Sequence, residues 1–124
     1  QIKRIIDSLD SARHIGVCLD TAHIFEAGYN IKTKAGLNNT LKEFDKLLGL
    51  NILKVIHFND SKSPLGSRVD RHEHIGKGRI GLEAMGRIIN HPKLRNAAFI
   101  METPKESDRD DKRNMAVAKK MVKM

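Results

Sequence analysis

The chain has a single cysteine, Cys18, so it cannot form an internal disulfide, and such usage fits a reducing compartment. It also lacks any apolar run near the roughly 20 residues of a membrane-spanning helix, and it carries no signal-peptide pattern. No membrane partner is therefore expected. Nor does it begin with methionine. Residue 1 is glutamine, and Ile2, Ile5, Ile6 and Leu9 open at once on one helical face. That reads as a start in mid-domain, and a fragment is expected. Acidic side chains are the scarcer sign: 15 Asp and Glu against 23 Lys and Arg leave a formal charge of +8. The excess suits a polyanion such as nucleic acid, although an ordinary basic soluble protein has it too. Hydrophobic residues, 40% of 124, exclude a disordered chain and are enough for one modest core. Cys18 lies inside an apolar run and is expected in that core rather than as a nucleophile.

What is abundant is concentrated between His57 and Gly81, HFNDSKSPLGSRVDRHEHIGKGRIG. His57, Asn59, Asp60, Asp70, His72 and His74 crowd this stretch among Gly66, Gly76, Gly78 and Gly81. Asp70 and His72 are two apart, so in extended chain they point to the same side. Carboxylate with imidazole suits zinc or manganese. Taken alone, D-x-H fits a solvated polar loop equally well.

The surrounding pattern is strand, loop, helix, three times. His14–Leu19, Ile52–Ile56 and Ala97–Met101 read as strands. Helical stripes follow at Leu37, Leu41, Phe44, Leu47 and Leu48, stopped by Gly49, and at Leu82, Met85, Ile88 and Ile89. From Asp108, a last helix carries Met115, Ala118, Met121 and Val122 as core filler. Strand starts lie about 40 residues apart, longer than a minimal βα unit, and the excess sits after the strands. There also sit Asp20 with His23 three residues on, His57, Asp70, His72 and Glu102. Asp20 reads either as an inward-aimed ligand or as a helix N-cap. In parallel α/β folds chemistry collects at the carboxyl ends of strands. Three successive strands ending in Asp, His and Glu point to a metal centre.

DTAHIFEAGYNI (20–31), the 57–81 segment and METP (101–104) closely resemble the endonuclease IV family, in the order and spacing of its C-terminal half. The resemblance runs from about Gly16 to the last helix. It implies an α/β fold: the C-terminal half of a (β/α)8 TIM barrel, about three βα units forming one partial domain over residues 1–124. The family's barrel is roughly twice this length. Its earlier strands, two further histidine ligands, a bridging glutamate and its DNA-intercalating side chains would precede Gln1.

By resemblance, Asp20, His57 and Glu102 help bind one zinc of a close pair, and His23, Asp70 and His72 bind a third. Manganese is a substitute of similar chemistry. Lys62, Ser67, Arg68 and Arg71 lie where the family approaches the DNA backbone, and the first three read almost as well as solvated loop. His14, His74 and His91 match no ligand position. Asn59 and Asp60 are expected to hydrogen-bond the ligands.

The implied activity is that of an apurinic/apyrimidinic endonuclease of base excision repair. Duplex DNA with an abasic site is hydrolysed 5′ to the lesion by metal-activated water. The location is then the cytoplasm of a prokaryote, at the nucleoid, or a eukaryotic nucleus or organelle. Two alternatives stay open: a sugar isomerase or epimerase on a related metal-binding barrel, and a fragment that binds metal or DNA with little or no turnover.

Overall fold

The computed structural model describes residues 1–11 and 14–123. Three strands, β1 (Val17–Asp20), β2 (Leu53–His57) and β5 (Ala98–Ile100), form a parallel sheet in the order β1-β2-β5. Helices α2 (Thr21–Glu26) and α3 (Lys34–Leu47) follow β1, α4 (Leu82–Ile89) precedes β5, and α5 (Asp108–Met121) follows it. This is a parallel βα arrangement, as the strand–loop–helix repeat predicts.

The pleat sorts the side chains. Leu19, Ile56 and Phe99 are aligned across the sheet and face the helices, and Ile56 is wholly buried. The helix faces that cover them include Leu37 and Leu41 of α3 and Met85 and Ile88 of α4, all buried. On the opposite face, Cys18, Val55 and Ala98 form one row, and Asp20, His57 and Ile100 form the next. That face is open at Cys18 and Ile100, both exposed.

Several sequence expectations need correction. Cys18 is not core, because it falls on the open side of the pleat. Desolvation at its sulfur still holds the thiol above its ordinary value; a backbone hydrogen bond at His57 works against this, and the charges of Asp20 and Glu102 add to it. The opening helix α1 (Ile2–Asp7) forms, but it packs through Ile6 alone. Ile2 and Ile5 are 52% and 62% exposed. In α5 the buried line is Asn114 and Ala118, with Val117 and Met121 half-buried against the core, while Met115 and Val122 face outward. α3 begins at Lys34, four residues before the apolar stripe suggests, because the Thr33 hydroxyl caps the Gly36 amide at 3.0 Å.

The segment between β2 and α4 is not a plain loop. β3 (Asp60–Ser61) and β4 (His72–Glu73) pair antiparallel, Asp60 opposite Glu73 and Ser61 opposite His72. Asp60 is fully buried, yet it makes no bond to a metal-type ligand, contrary to expectation. Its carboxylate instead accepts from five backbone amides, those of Ser61, Gly76, Gly78, Ile80 and Gly81, at 2.8–3.3 Å. Such coordination offsets the cost of burying the charge. Gly78 has no room for a Cβ, which would strike the Asp60 carboxylate and the Ser61 carbonyl. Removing the Asp60 side chain would orphan these amides, so Asp60→Ala should lose about 3 kcal/mol or more of unfolding free energy. Urea denaturation measures it, and a loss below about 1 kcal/mol would contradict this account.

Candidate metal centre

Each strand delivers one side chain to the same end of the sheet. Asp20 closes β1, His57 closes β2, and Glu102 stands two residues beyond β5. Register keeps the first two abreast, since Asp20 pairs with His57. The Thr21 hydroxyl donates to the Asn59 carbonyl at 2.6 Å and accepts from the Asn59 amide at 2.9 Å, locking the two strand ends together.

Asp20 fills both roles its sequence position offers. Oδ1 accepts from the His23 amide at 3.0 Å and caps α2. Oδ2 faces the site, 3.7 Å from Nδ1 of His23, 3.7 Å from Nδ1 of His57 and 3.6 Å from Nε2 of His72. Nδ1 of His57 is also 3.5 Å from Oε2 of Glu102. These separations are long for hydrogen bonds. They match two ligands of one tetrahedral cation, which at bond lengths of about 2.1 Å stand roughly 3.4 Å apart.

Two overlapping groups result, Asp20–His57–Glu102 and Asp20–His23–His72, each with ligand atoms within 4.8 Å of one another. Either could hold a metal ion. Asp70 joins the second through Oδ1, 2.8 Å from Nε2 of His23 and 3.6 Å from Nε2 of His72. All six expected ligand residues thus converge at one end of the sheet.

His72 is oriented for ligation. Its Nδ1 lies 2.9 Å from the Glu102 carbonyl, which can only accept, so Nδ1 carries the hydrogen and Nε2 keeps a lone pair. That Nε2 is buried, with no hydrogen-bond partner among the described residues. Asn59, wholly buried, donates from Nδ2 to Oδ2 of Asp20 at 3.1 Å and accepts from the Glu102 amide at 2.7 Å. It orients the Asp20 carboxylate and fixes the backbone of Glu102, as expected for it.

Among the residues expected at DNA, Lys62, Arg68 and Arg71 are exposed on the β3–β4 connection and Ser67 is half-buried. Arg68 sits at φ +59°. Two residues were missed. Asn114, on α5, accepts from the Ile75 amide at 2.8 Å and lies 3.0 Å from Nδ1 of His74. Only the docking of α5 buries it, so the sequence carries no local signal for it. Glu26 is buried under the connection, and no spacing signals it.

A family described as the xylose isomerase-like TIM barrel matches residues 1–123. The chain belongs to that family. It is 52% identical over 110 residues to a probable endonuclease 4 of Halothermothrix orenii, covering 89% of this chain and 40% of that protein. A probable endonuclease 4 of Methanoculleus marisnigri is 42% identical over 121 residues, covering 98% of this chain and 43% of its own length. The crystal structure of endonuclease IV from Thermus thermophilus superposes with a TM-score of 0.83 at 35% identity, over 97% of this chain and 42% of that one. The resemblance to endonuclease IV is borne out, and the chain spans about two fifths of the length of these relatives.

Without metal, the site's electrostatics are those of an imidazole–carboxylate pair. Burial alone would lower the His23 pKa, but the hydrogen bond to Asp70 and the charges of Asp20, Asp70 and Glu26 outweigh it and raise it. The same hydrogen bond to His23 lowers Asp70. Stability from raised His23 is full below about pH 6.5 and lost as pH climbs through the raised value; that from lowered Asp70 is present above about pH 3.9 and lost on acidification through its lowered value. Both groups are half-exposed or more, so the stabilisation is small. In the metal-free chain, Asp70→Asn should move the His23 NMR titration midpoint down. An unchanged midpoint would mean the pair does not form in solution.

Proposed function

We propose that this chain supplies part of the metal centre and of the DNA-binding surface of a zinc-dependent apurinic/apyrimidinic endonuclease of base excision repair, one that hydrolyses the phosphodiester 5′ to an abasic site. The observation that carries the reading is Oδ2 of Asp20, set at tetrahedral-ligand spacing from three imidazoles. The endonuclease 4 relatives support a nuclease over a sugar isomerase of the same barrel family.

Asp20, His57 and Glu102 would hold one cation, and His23, Asp70 and His72 another, with Asp20 close to both. Bound divalent cations supply a water acidified into the neutral range and a counter-charge for the phosphate. The chain's own residues do the rest. Asn59 holds the carboxylates of Asp20 and the backbone of Glu102 in register. The Glu102 carbonyl keeps the Nε2 lone pair of His72 turned inward. Lys62, Arg68 and Arg71, exposed on one connection, would neutralise backbone phosphates, with Ser67 beside them. An abasic nucleotide has no base to unstack, so turning it toward such a site costs less than for an intact one.

Metal analysis tests the centre. The chain should carry about one tightly held zinc, and His72→Ala should remove most of it, since the buried Nε2 has no replacement. Unchanged zinc in that variant would end the assignment. Binding to a duplex with one abasic analogue should fall linearly on a log–log salt plot, with a slope of roughly −0.9 per phosphate neutralised. Arg71→Ala should make that slope shallower by about 1. Affinity indifferent to salt between about 50 and 200 mM would count against a phosphate-reading surface.

A further inference from the structure

Glu26 is the one buried carboxylate that neither the ligand groups nor the loop-holding role of Asp60 accounts for. It is 2% exposed, at the C-terminal end of α2, one helical turn after His23. Its Oε2 accepts from the Ser61 hydroxyl at 2.6 Å and from the Arg71 amide at 3.2 Å. The end of the same helix takes two more amides from this segment. The Phe25 carbonyl accepts from Gly66 at 3.0 Å, and the Glu26 carbonyl accepts from Arg68 at 2.9 Å. The Glu26 carbonyl, which the helix C-terminus leaves unpaired, is thus satisfied by the β3–β4 connection, and the Phe25 carbonyl, already accepting from Gly28, gains a second donor. In return, Arg68 is held at φ +59°, a region rarely adopted by residues other than glycine.

The Arg71 amide matters because of where it lies. The peptide joining Asp70 to Arg71 is planar, so fixing its N–H fixes both Cα atoms at once. Asp70 then stands 2.8 Å from His23, and Arg71 is exposed beside it. Ser61, at the other end of the connection, pairs across the hairpin with His72. One carboxylate oxygen therefore ties both ends of the segment that carries Lys62, Arg68, Asp70 and Arg71.

We propose that Glu26 is a positioning residue for this connection, setting Asp70 against the imidazoles and Arg71 against a DNA phosphate. The proposal rests on the nuclease reading for its consequence at DNA, but not for the clamp itself. Glu26 touches neither metal nor DNA. Its effect passes through the Asp70–Arg71 peptide.

The test uses the 124-residue chain with Glu26→Ala, Glu26→Gln and Glu26→Asp, each also combined with Arg71→Ala. The probes are zinc and a labelled duplex bearing one abasic analogue. Glu26→Ala should weaken DNA binding about tenfold, and Glu26→Asp, too short to reach the amide, should do the same. Glu26→Gln keeps an acceptor oxygen and should stay within about twofold. With Arg71→Ala already present, Glu26→Ala should cost less than about twofold more, because the two act as a unit. Equal losses with and without Arg71 would reduce Glu26 to general packing and overturn the proposal. Amide hydrogen exchange on the metal-free, DNA-free chain decides the clamp separately. Glu26→Ala should speed exchange at Gly66, Arg68 and Arg71 while β2 stays protected. Unchanged exchange there overturns the clamp even if DNA binds, whereas accelerated exchange in a chain that binds no DNA faults the nuclease reading alone.

Discussion

The buried Asp60 carboxylate is the constraint on which the polar end of the molecule depends. A charge with no solvent access must be matched in full, and here the match comes from amides spread over residues 61 to 81. Those amides can converge only if the segment curls back on itself. That curl brings His72 opposite Ser61 and starts α4 at Leu82. The glycines among them follow from the crowding: Gly78 lies where a Cβ would strike the carboxylate, and Gly76 and Gly81 take positive φ. The position of the His72 side chain is thus set by a residue that never touches it.

From there the site is built by shared acceptors. Asp20 uses one oxygen to cap α2 and the other to face three imidazoles. Asn59 bridges Asp20 and Glu102, and the Glu102 carbonyl in turn orients His72. Each such bond is worth little alone, but the network leaves each ring few alternatives. Glu26 does for the outer connection what Asp60 does for the inner turn. The two buried carboxylates hold opposite sides of one hairpin, whose connection carries the exposed basic residues.

Away from Asp20 and His57, the other face of the sheet is apolar and open. Cys18, Ala98 and Ile100 line it, and the outward side of α1 adds Ile2 and Ile5. Periodicity registers that these residues are apolar and which of them share a face. It carries no information about whether a covering layer is present, which is why Cys18 fits a core pattern and yet is exposed.

By itself, the sequence determined the parallel α/β class, the three strands with their helices, and the three side chains Asp20, His57 and Glu102 at the strand ends. Each of these follows from local physics: apolar periods of two and 3.6, glycine stops, and carboxylate or imidazole placed directly after an apolar strand. It also determined the kinship with endonuclease IV through DTAH, DRHEHIGKGRIG and METP. Tertiary structure alone decided which of the polar residues serve the ligands and which serve the backbone. Asn59 and Asp60 are adjacent and equally polar, yet one holds Asp20 and Glu102 while the other holds the turn. Asn114 and Glu26 acquire their partners only when α5 and the β3–β4 hairpin dock, at sequence separations of 39 and 45 residues. A hydrogen bond made across that distance leaves no period in the chain, because it depends on where two elements meet and not on the spacing within either.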